Sequence, residues 1–149
     1  MLVHSGERLR LTQLSVVNTR QFLVALLCCA SFSAVAQTAN GPNDPRAVSL
    51  EAAREALERS NAIVIDIREP SEHATGVAKG AKLIPMSQLS ARIKEVPQLP
   101  DQPVLLICNT QNRSSRVAEQ LRAAGYSNIS YVNSGMSQWA ARGWPMVKP

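Results

Sequence analysis

The chain has 149 residues, is 45% hydrophobic with only 4% aromatics, and carries a formal net charge of +5. That length and apolar content exclude a disordered tail and suit one domain with a core of Ala, Val, Ile and Leu. The basic residues form no run and do not interleave with aromatics, which excludes a nucleic-acid stacking surface and leaves a mild attraction for small anions.

Arg8, Arg10 and Arg20 precede an apolar stretch, Phe22 to Val35, that ends in Ala34-Val35-Ala36. A basic region, an apolar core and a small-x-small site are the three parts of a secretory signal, so residues 1–36 read as a signal peptide cleaved after Ala36. A retained membrane anchor is the alternative; the run is short for a span and diluted by Ser and Cys. The expected location is periplasmic or secreted, with no membrane attachment after cleavage. Cleavage removes three arginines and one glutamate, taking +5 to +3, and removes Cys28 and Cys29, so that of 3 cysteines only Cys108 stays. One thiol cannot form an internal disulfide, and an odd thiol in an oxidising compartment is a liability or the working group.

Residues 37–46 form a polar linker rich in Asn, Pro and Gly. Residues 47–149 then alternate strand and helix patterns. Ala47-Val48 is a very short strand. Ser49 caps a helix that buries Leu50, Ala53 and Leu57 and exposes Glu51, Arg54, Glu55 and Glu58. Ile63-Val64-Ile65-Asp66-Ile67 is a buried strand, and Gly76 to Ala81 a loop. Leu83-Ile84-Pro85 is a short strand, and Ser87 to Glu95 a helix with Leu89 and Ile93 inward. Val104 to Ile107 is a second buried strand that ends at Cys108. Asn109-Thr110-Gln111-Asn112-Arg113 is a polar loop, and Ser114 and Ser115 can cap a helix running through Val117, Ala118, Leu121 and Ala124 to a stop at Gly125. Ile129 to Val132 is a further strand, and Ser134-Gly135 opens a short helix with Met136 and Trp139, stopped by Gly143 and Pro145. The pattern predicts an α/β domain whose central, mostly parallel sheet of about five strands is flanked by helices.

In such a sheet ligands sit beyond the carboxyl ends of the strands, where Cys108 stands together with Asp66 and Arg68. A strand, a loop and a helix start aim backbone N–H groups and the positive helix end at the Cys108 sulfur, a setting suited to a sulfur nucleophile. The plain alternative is a buried structural cysteine.

Asp66-Ile67-Arg68-Glu69 with Glu72, then Gly76, Gly80-Ala81 and Ile84-Pro85, resembles the first signature of rhodanese domains. Cys108, Arg113 and Ser114 resemble that family's active-site loop. Ala123-Ala124-Gly125-Tyr126, Gly135-Met136, Trp139, Gly143 and Pro145 resemble its C-terminal signature. With the export signal, the chain is similar to single-domain periplasmic thiosulfate sulfurtransferases. The resemblance implies a single rhodanese-like domain over 47–149, no metal and no cofactor. It implies that Cys108 takes sulfane sulfur from thiosulfate or a persulfide donor as a persulfide and passes it to cyanide, a thiol or a protein acceptor. Asn109, Thr110, Gln111, Asn112, Arg113 and Ser114 would bind the small anionic donor, Asp66 and Arg68 would support the strand end, and the protein would act as a monomer. Arg113 either adds positive field or pairs to hold the loop; His73 reads as an exposed loop residue. The loop departs from the family in having no glycine, so Asn109 or Asn112 is expected to supply its positive φ, Gln111 only at a cost of about 1–2 kcal/mol, and free thiosulfate is expected to be a weak substrate. A cysteine phosphatase or arsenate reductase is disfavoured because only four residues separate Cys108 from Arg113. A non-catalytic module that binds or presents sulfur keeps the same fold and cysteine.

Overall fold

The structure, a computed structural model, describes residues 44–149. The segment 1–36 assigned to a signal peptide, and the linker as far as residue 43, lie outside the described residues. Seven short strands alternate with helices: β1 (Ala47–Val48), α1 (Leu50–Arg59), β2 (Ile63–Asp66), α2 (Pro70–His73), β3 (Val77–Ala78), β4 (Lys82–Leu83), α3 (Met86–Leu89), β5 (Val104–Ile107), α4 (Asn112–Ala123), β6 (Ile129–Val132), α5 (Gly135–Ala141) and β7 (Met146–Val147). Five of the strands form one sheet in the order β1-β6-β5-β2-β4, every pair parallel, and β3 and β7 make a separate antiparallel ribbon.

The long apolar runs follow from burial on both faces of this sheet. Ile65, Val104, Leu106 and Ile129 point into one core cluster, shared with Val117, Ala118 and Leu121 of α4. Val64, Leu105, Ile107 and Val132 point into the other, shared with Leu50 and Ala53 of α1 and Met136 and Trp139 of α5. Each fully buried Leu or Ile contributes about 1.5–3 kcal/mol. The alternation places Cys108 in the α4-side cluster, 1% exposed.

The helix starts obey local chemistry. The Ser49 hydroxyl accepts from the Ala52 amide at 3.1 Å and caps α1, whose buried face is Leu50, Ala53 and Ala56. Leu57, expected on that face, is only half-buried against the same cluster. At the end of the polar linker, Asp44 is 8% exposed and accepts from Arg46 and from the Tyr131 hydroxyl at 3.2 Å.

Three elements differ from expectation. The single helix over Ser87–Glu95 is instead α3 and a separate 3-10 turn at Ile93–Glu95. Leu89 and Ile93 are its partly buried apolar residues, too little to hold a continuous helix, and Arg92 is drawn onto Glu95 and the Leu83 carbonyl. The loop over Gly76–Ala81 contains β3, and β7 follows Pro145. Neither Val77-Ala78 nor Met146-Val147 carries enough alternation to mark a strand by itself.

Candidate functional site

The site grows from β5. All four of its residues are buried, so the strand is pinned from both sides up to the point where the chain turns polar. The chain then curls through Asn109, Thr110 and Gln111 and enters α4 at Asn112, so the helix begins earlier than capping by Ser114 or Ser115 predicts, with Gln111 in the cap position. Both serines lie inside the first turn. Their hydroxyls donate back to the carbonyls of Gln111 and Asn112, at 3.1 and 3.3 Å. This places the Ser114 amide and hydroxyl each 3.4 Å from Cys108 Sγ.

The curl needs one residue with positive φ, and it is neither asparagine. Asn109 and Asn112 keep ordinary conformations, while Gln111 stands at φ 134°. Such a conformation costs a non-glycine residue about 1–2 kcal/mol. An anchor offsets it: Gln111 Oε1 accepts from the Ser134 amide at 2.9 Å. That bond is available only because the start of α5 lies against the loop, a long-range fact that local propensity does not carry.

The start of α5 also fixes which way the loop faces. The Met136 amide donates to the Cys108 carbonyl at 2.8 Å and the Ser137 amide to the Asn109 carbonyl at 2.9 Å. Gly135, at φ +57°, permits this approach, since a Cβ there would stand 2.4 Å from the Cys108 oxygen and 2.6 Å from the Asn109 oxygen. The Gln111 carbonyl is taken by the Ser115 amide at 2.8 Å. With the carbonyls turned toward protein donors, the amides of Asn109, Thr110, Gln111, Asn112 and Arg113 have no acceptor among the described residues. Successive unpaired N–H groups at a helix start form an anion-binding concavity. Beside it lies a recess of about 280 Å³ lined by Thr110, Gln111, Asn112, Ser134, Ser137 and Gln138, all uncharged.

The one charged residue of this loop, Arg113 at its end, is paired with protein. Arg113 makes a two-pronged pair with Glu72 of α2, Nη1 to Oε2 at 2.7 Å and Nη2 to Oε1 at 2.6 Å. The Arg113 guanidinium holds the Glu72 carboxyl down at about 2, and the same bond raises Arg113. Glu72 also accepts from the Glu69 amide at 2.9 Å in a capping box, and Glu69 in turn accepts from the Ser87 amide and hydroxyl.

Asp66 and Arg68 make a buried pair at the end of β2, 0% and 3% exposed. Arg68 Nη2 reaches Asp66 Oδ2 at 2.7 Å and the Gly76 carbonyl at 2.8 Å, tying the strand end to the loop before β3. His73, expected to be exposed, is 4% exposed, with Nε2 3.4 Å from Asp66 Oδ1 and no hydrogen bond made. It is drawn in because α2 folds back over the Asp66–Arg68 pair.

The structure therefore brings Ser114 onto Cys108, sets Thr110, Gln111 and Asn112 along the adjoining recess, turns Arg113 onto Glu72, and puts Asp66 and Arg68 at the neighbouring strand end. Sequence reasoning missed Glu72 as the partner of Arg113 and missed Gly135 and Ser134 as loop supports. Glu72 is 41 residues from Arg113, beyond any local signal. Gly135 did carry one, a glycine at a helix start after a buried strand.

A sequence model of the family described as "Rhodanese-like domain" matches residues 49–142. The uncharacterized protein YqhL of Bacillus subtilis is 40% identical over 79 residues, 53% of this chain and 61% of that protein, so the chain spans under two thirds of that relative's length. A protein of Allochromatium vinosum named "Sulfurtransferase" is 30% identical over 92 residues, 62% of this chain and 84% of the relative. Among solved structures, a rhodanese-related protein of Thermoplasma volcanium superposes with a TM-score of 0.61 at 30% identity, covering 70% of this chain and 99% of the other.

Proposed function

The chain belongs to the rhodanese-like domain family, and from that premise we propose that it is a sulfurtransferase carrying sulfane sulfur as a persulfide on Cys108. The observation that carries this reading is the placement of Sγ, 3.4 Å from the Ser114 amide at the floor of a loop whose five amides from Asn109 to Arg113 have no acceptor among the described residues. Relatives named sulfurtransferase support the general activity.

In the proposed reaction the Cys108 thiolate attacks the outer sulfur of thiosulfate. A Cys108–S bond forms, the donor S–S bond breaks, and its electron pair leaves with sulfite. The terminal sulfur of the persulfide then bears negative charge, which the loop amides stabilise. Cyanide or a thiol attacks that sulfur and returns the Cys108 thiolate, giving ping-pong kinetics. Sulfite departs as a stable anion, so no general acid is required. Arg113, bound to Glu72, holds the loop's shape. Asn109 and Thr110 frame the mouth, and Gln111 and Asn112 border the adjoining recess.

A module that receives and presents sulfur without turnover is the second reading, favoured by the 1% exposure of Cys108. Intact-mass measurement before and after thiosulfate, followed by cyanide, separates the two. A gain of one sulfur that cyanide removes with repeated turnover supports the enzyme. A stable gain without turnover supports the module, and no gain on any sulfur donor rejects both. The proposal includes export of the protein with cleavage after Ala36; an exported chain still carrying Phe22 to Ala36 on N-terminal sequencing rejects that part.

A further inference from the structure

The loop holds one cation, Arg113, and it is not offered to a ligand. Both of its terminal nitrogens are engaged by the two oxygens of Glu72, at 2.6 and 2.7 Å, and the Glu69 carboxylate also acts on it. Arg68, the cation under the neighbouring strand end, is matched by Asp66. Around Arg113 the carboxylates thus outnumber the guanidinium. The recess beside the loop is lined by three side-chain amides and three hydroxyls and by no charge. Hydroxyls and carboxamides recognise neutral hydrogen-bonding groups. A doubly charged anion approaching the loop loses hydration, finds its one guanidinium already matched by Glu72, and gains only the loop amides.

Building on the persulfide reading above, we propose that Glu72, seconded by Glu69, is an anion filter. By occupying Arg113 it turns the sulfur site away from thiosulfate and toward an organic persulfide, R–S–SH, whose uncharged hydrogen-bonding body rests in the recess of Thr110, Gln111, Asn112, Ser134, Ser137 and Gln138. The step balances as R–S–SH plus Cys108–S⁻ giving Cys108–S–SH plus R–S⁻. The bond from Cys108 to the outer sulfur forms, the donor S–S bond breaks, its electron pair leaves on R–S⁻, and the proton stays on the transferred sulfur. Glu72 touches none of these atoms; it is a positioning residue that acts through Arg113.

The test compares two donors, thiosulfate and hydroxyethyl persulfide, on the purified protein, with cyanide as common acceptor and folding checked by circular dichroism. The measured quantity is the ratio of kcat/KM for thiosulfate to that for the persulfide. Glu72→Gln keeps the shape and removes the charge, and the ratio is expected to rise roughly 5- to 10-fold at about 0.02 M salt, shrinking to about 2-fold at 0.5 M. Glu69→Gln moves the ratio the same way by less, and stands in if the first variant does not fold. A ratio that stays put or falls in a folded, active variant overturns the filter, because loop support alone slows both donors together and has no salt dependence. Absence of a one-sulfur mass gain on wild-type Cys108 with either donor overturns the persulfide reading itself, a result separate from an unmoved ratio in an active protein.

Discussion

Strands β2 and β5 run side by side in register, Asp66 beside Ile107, and each ends in a turn that enters a helix. The turns at the two ends are opposite in kind. After β2, the Asp66 carboxylate and the Arg68 guanidinium satisfy each other, with the Arg68 amide adding a bond to Asp66 at 3.0 Å. After β5, the carbonyls of Cys108, Asn109 and Gln111 are taken by α5 and α4, while the amides from Asn109 to Arg113 have no acceptor among the described residues. A closed set of polar groups holds a fold, whereas an open set of donors around a nucleophile can do chemistry. The sheet provides both from the same geometry, and the choice lies in side chains and in which neighbouring element closes the turn.

The largest expected effect isolates the open end. Cys108→Ser abolishes sulfur transfer, a loss of at least about three orders of magnitude in turnover, while urea denaturation stays near wild type; appreciable turnover in the folded variant removes Cys108 from the reaction. The reverse profile is expected at the closed end. Asp66→Asn leaves Arg68 buried and unpaired, and chemical denaturation should report a loss of about 3–5 kcal/mol. A near-neutral result there means that the pair is replaceable by its carbonyl contacts.

Gly135→Ala tests the wall between the two functions. Its Cβ would collide with the Cys108 and Asn109 oxygens at a positive φ, so a loss of about 2–4 kcal/mol is expected together with reduced transfer. Wild-type activity in a destabilised Gly135→Ala protein would show that the loop keeps its shape without α5.

Smaller effects come from Gln111. Gln111→Gly relieves its strain and loses the bond to Ser134, so stability should stay within about 1 kcal/mol. Removing the Gln111 side chain from the recess beside the loop is expected to raise turnover of thiosulfate severalfold. Gln111→Ala keeps the strain and loses the bond, and should be about 1 kcal/mol less stable than wild type. If alanine and glycine behave alike, the positive φ at position 111 carries no cost.

The smallest effect is acidic. Glu72 is held at about 2 against an ordinary 4.5, and Asp44 at about 2 against 3.8, each chiefly by an arginine hydrogen bond. A folded-state value below the unfolded one contributes stability in full above the unfolded value, and that contribution fades as pH falls toward the folded value. For Glu72 the window is pH 4.5 to 2, and with the pair 31% exposed the amount is about 1 kcal/mol. Urea midpoints across this range should fall less steeply in Glu72→Gln.

The residues that sequence reasoning placed well are those whose signal is local. The runs Ile63 to Asp66, Val104 to Ile107 and Ile129 to Val132 announce strands buried on both faces, and Ser49 announces the start of α1. Cys108 at a strand end before a helix was legible for the same reason. What was not legible depends on contacts between distant segments. The fold of α2 over Asp66 buries His73. The approach of α5 lets Gln111 rather than an asparagine take the positive φ. The pairing of Arg113 with Glu72 settles whether that arginine faces ligand or protein. β7 pairs with β3, far back in the chain, and is two residues long, so nothing in its own sequence marks it.

The bonds from Met136 and Ser137 to the carbonyls of Cys108 and Asn109 have a kinetic consequence. These two amides cannot exchange with deuterated solvent until the loop lets go of α5, so opening of the sulfur loop and fraying of the first turn of α5 are one event. Their exchange rates therefore clock, from outside the loop, how often the buried sulfur becomes open to a large acceptor.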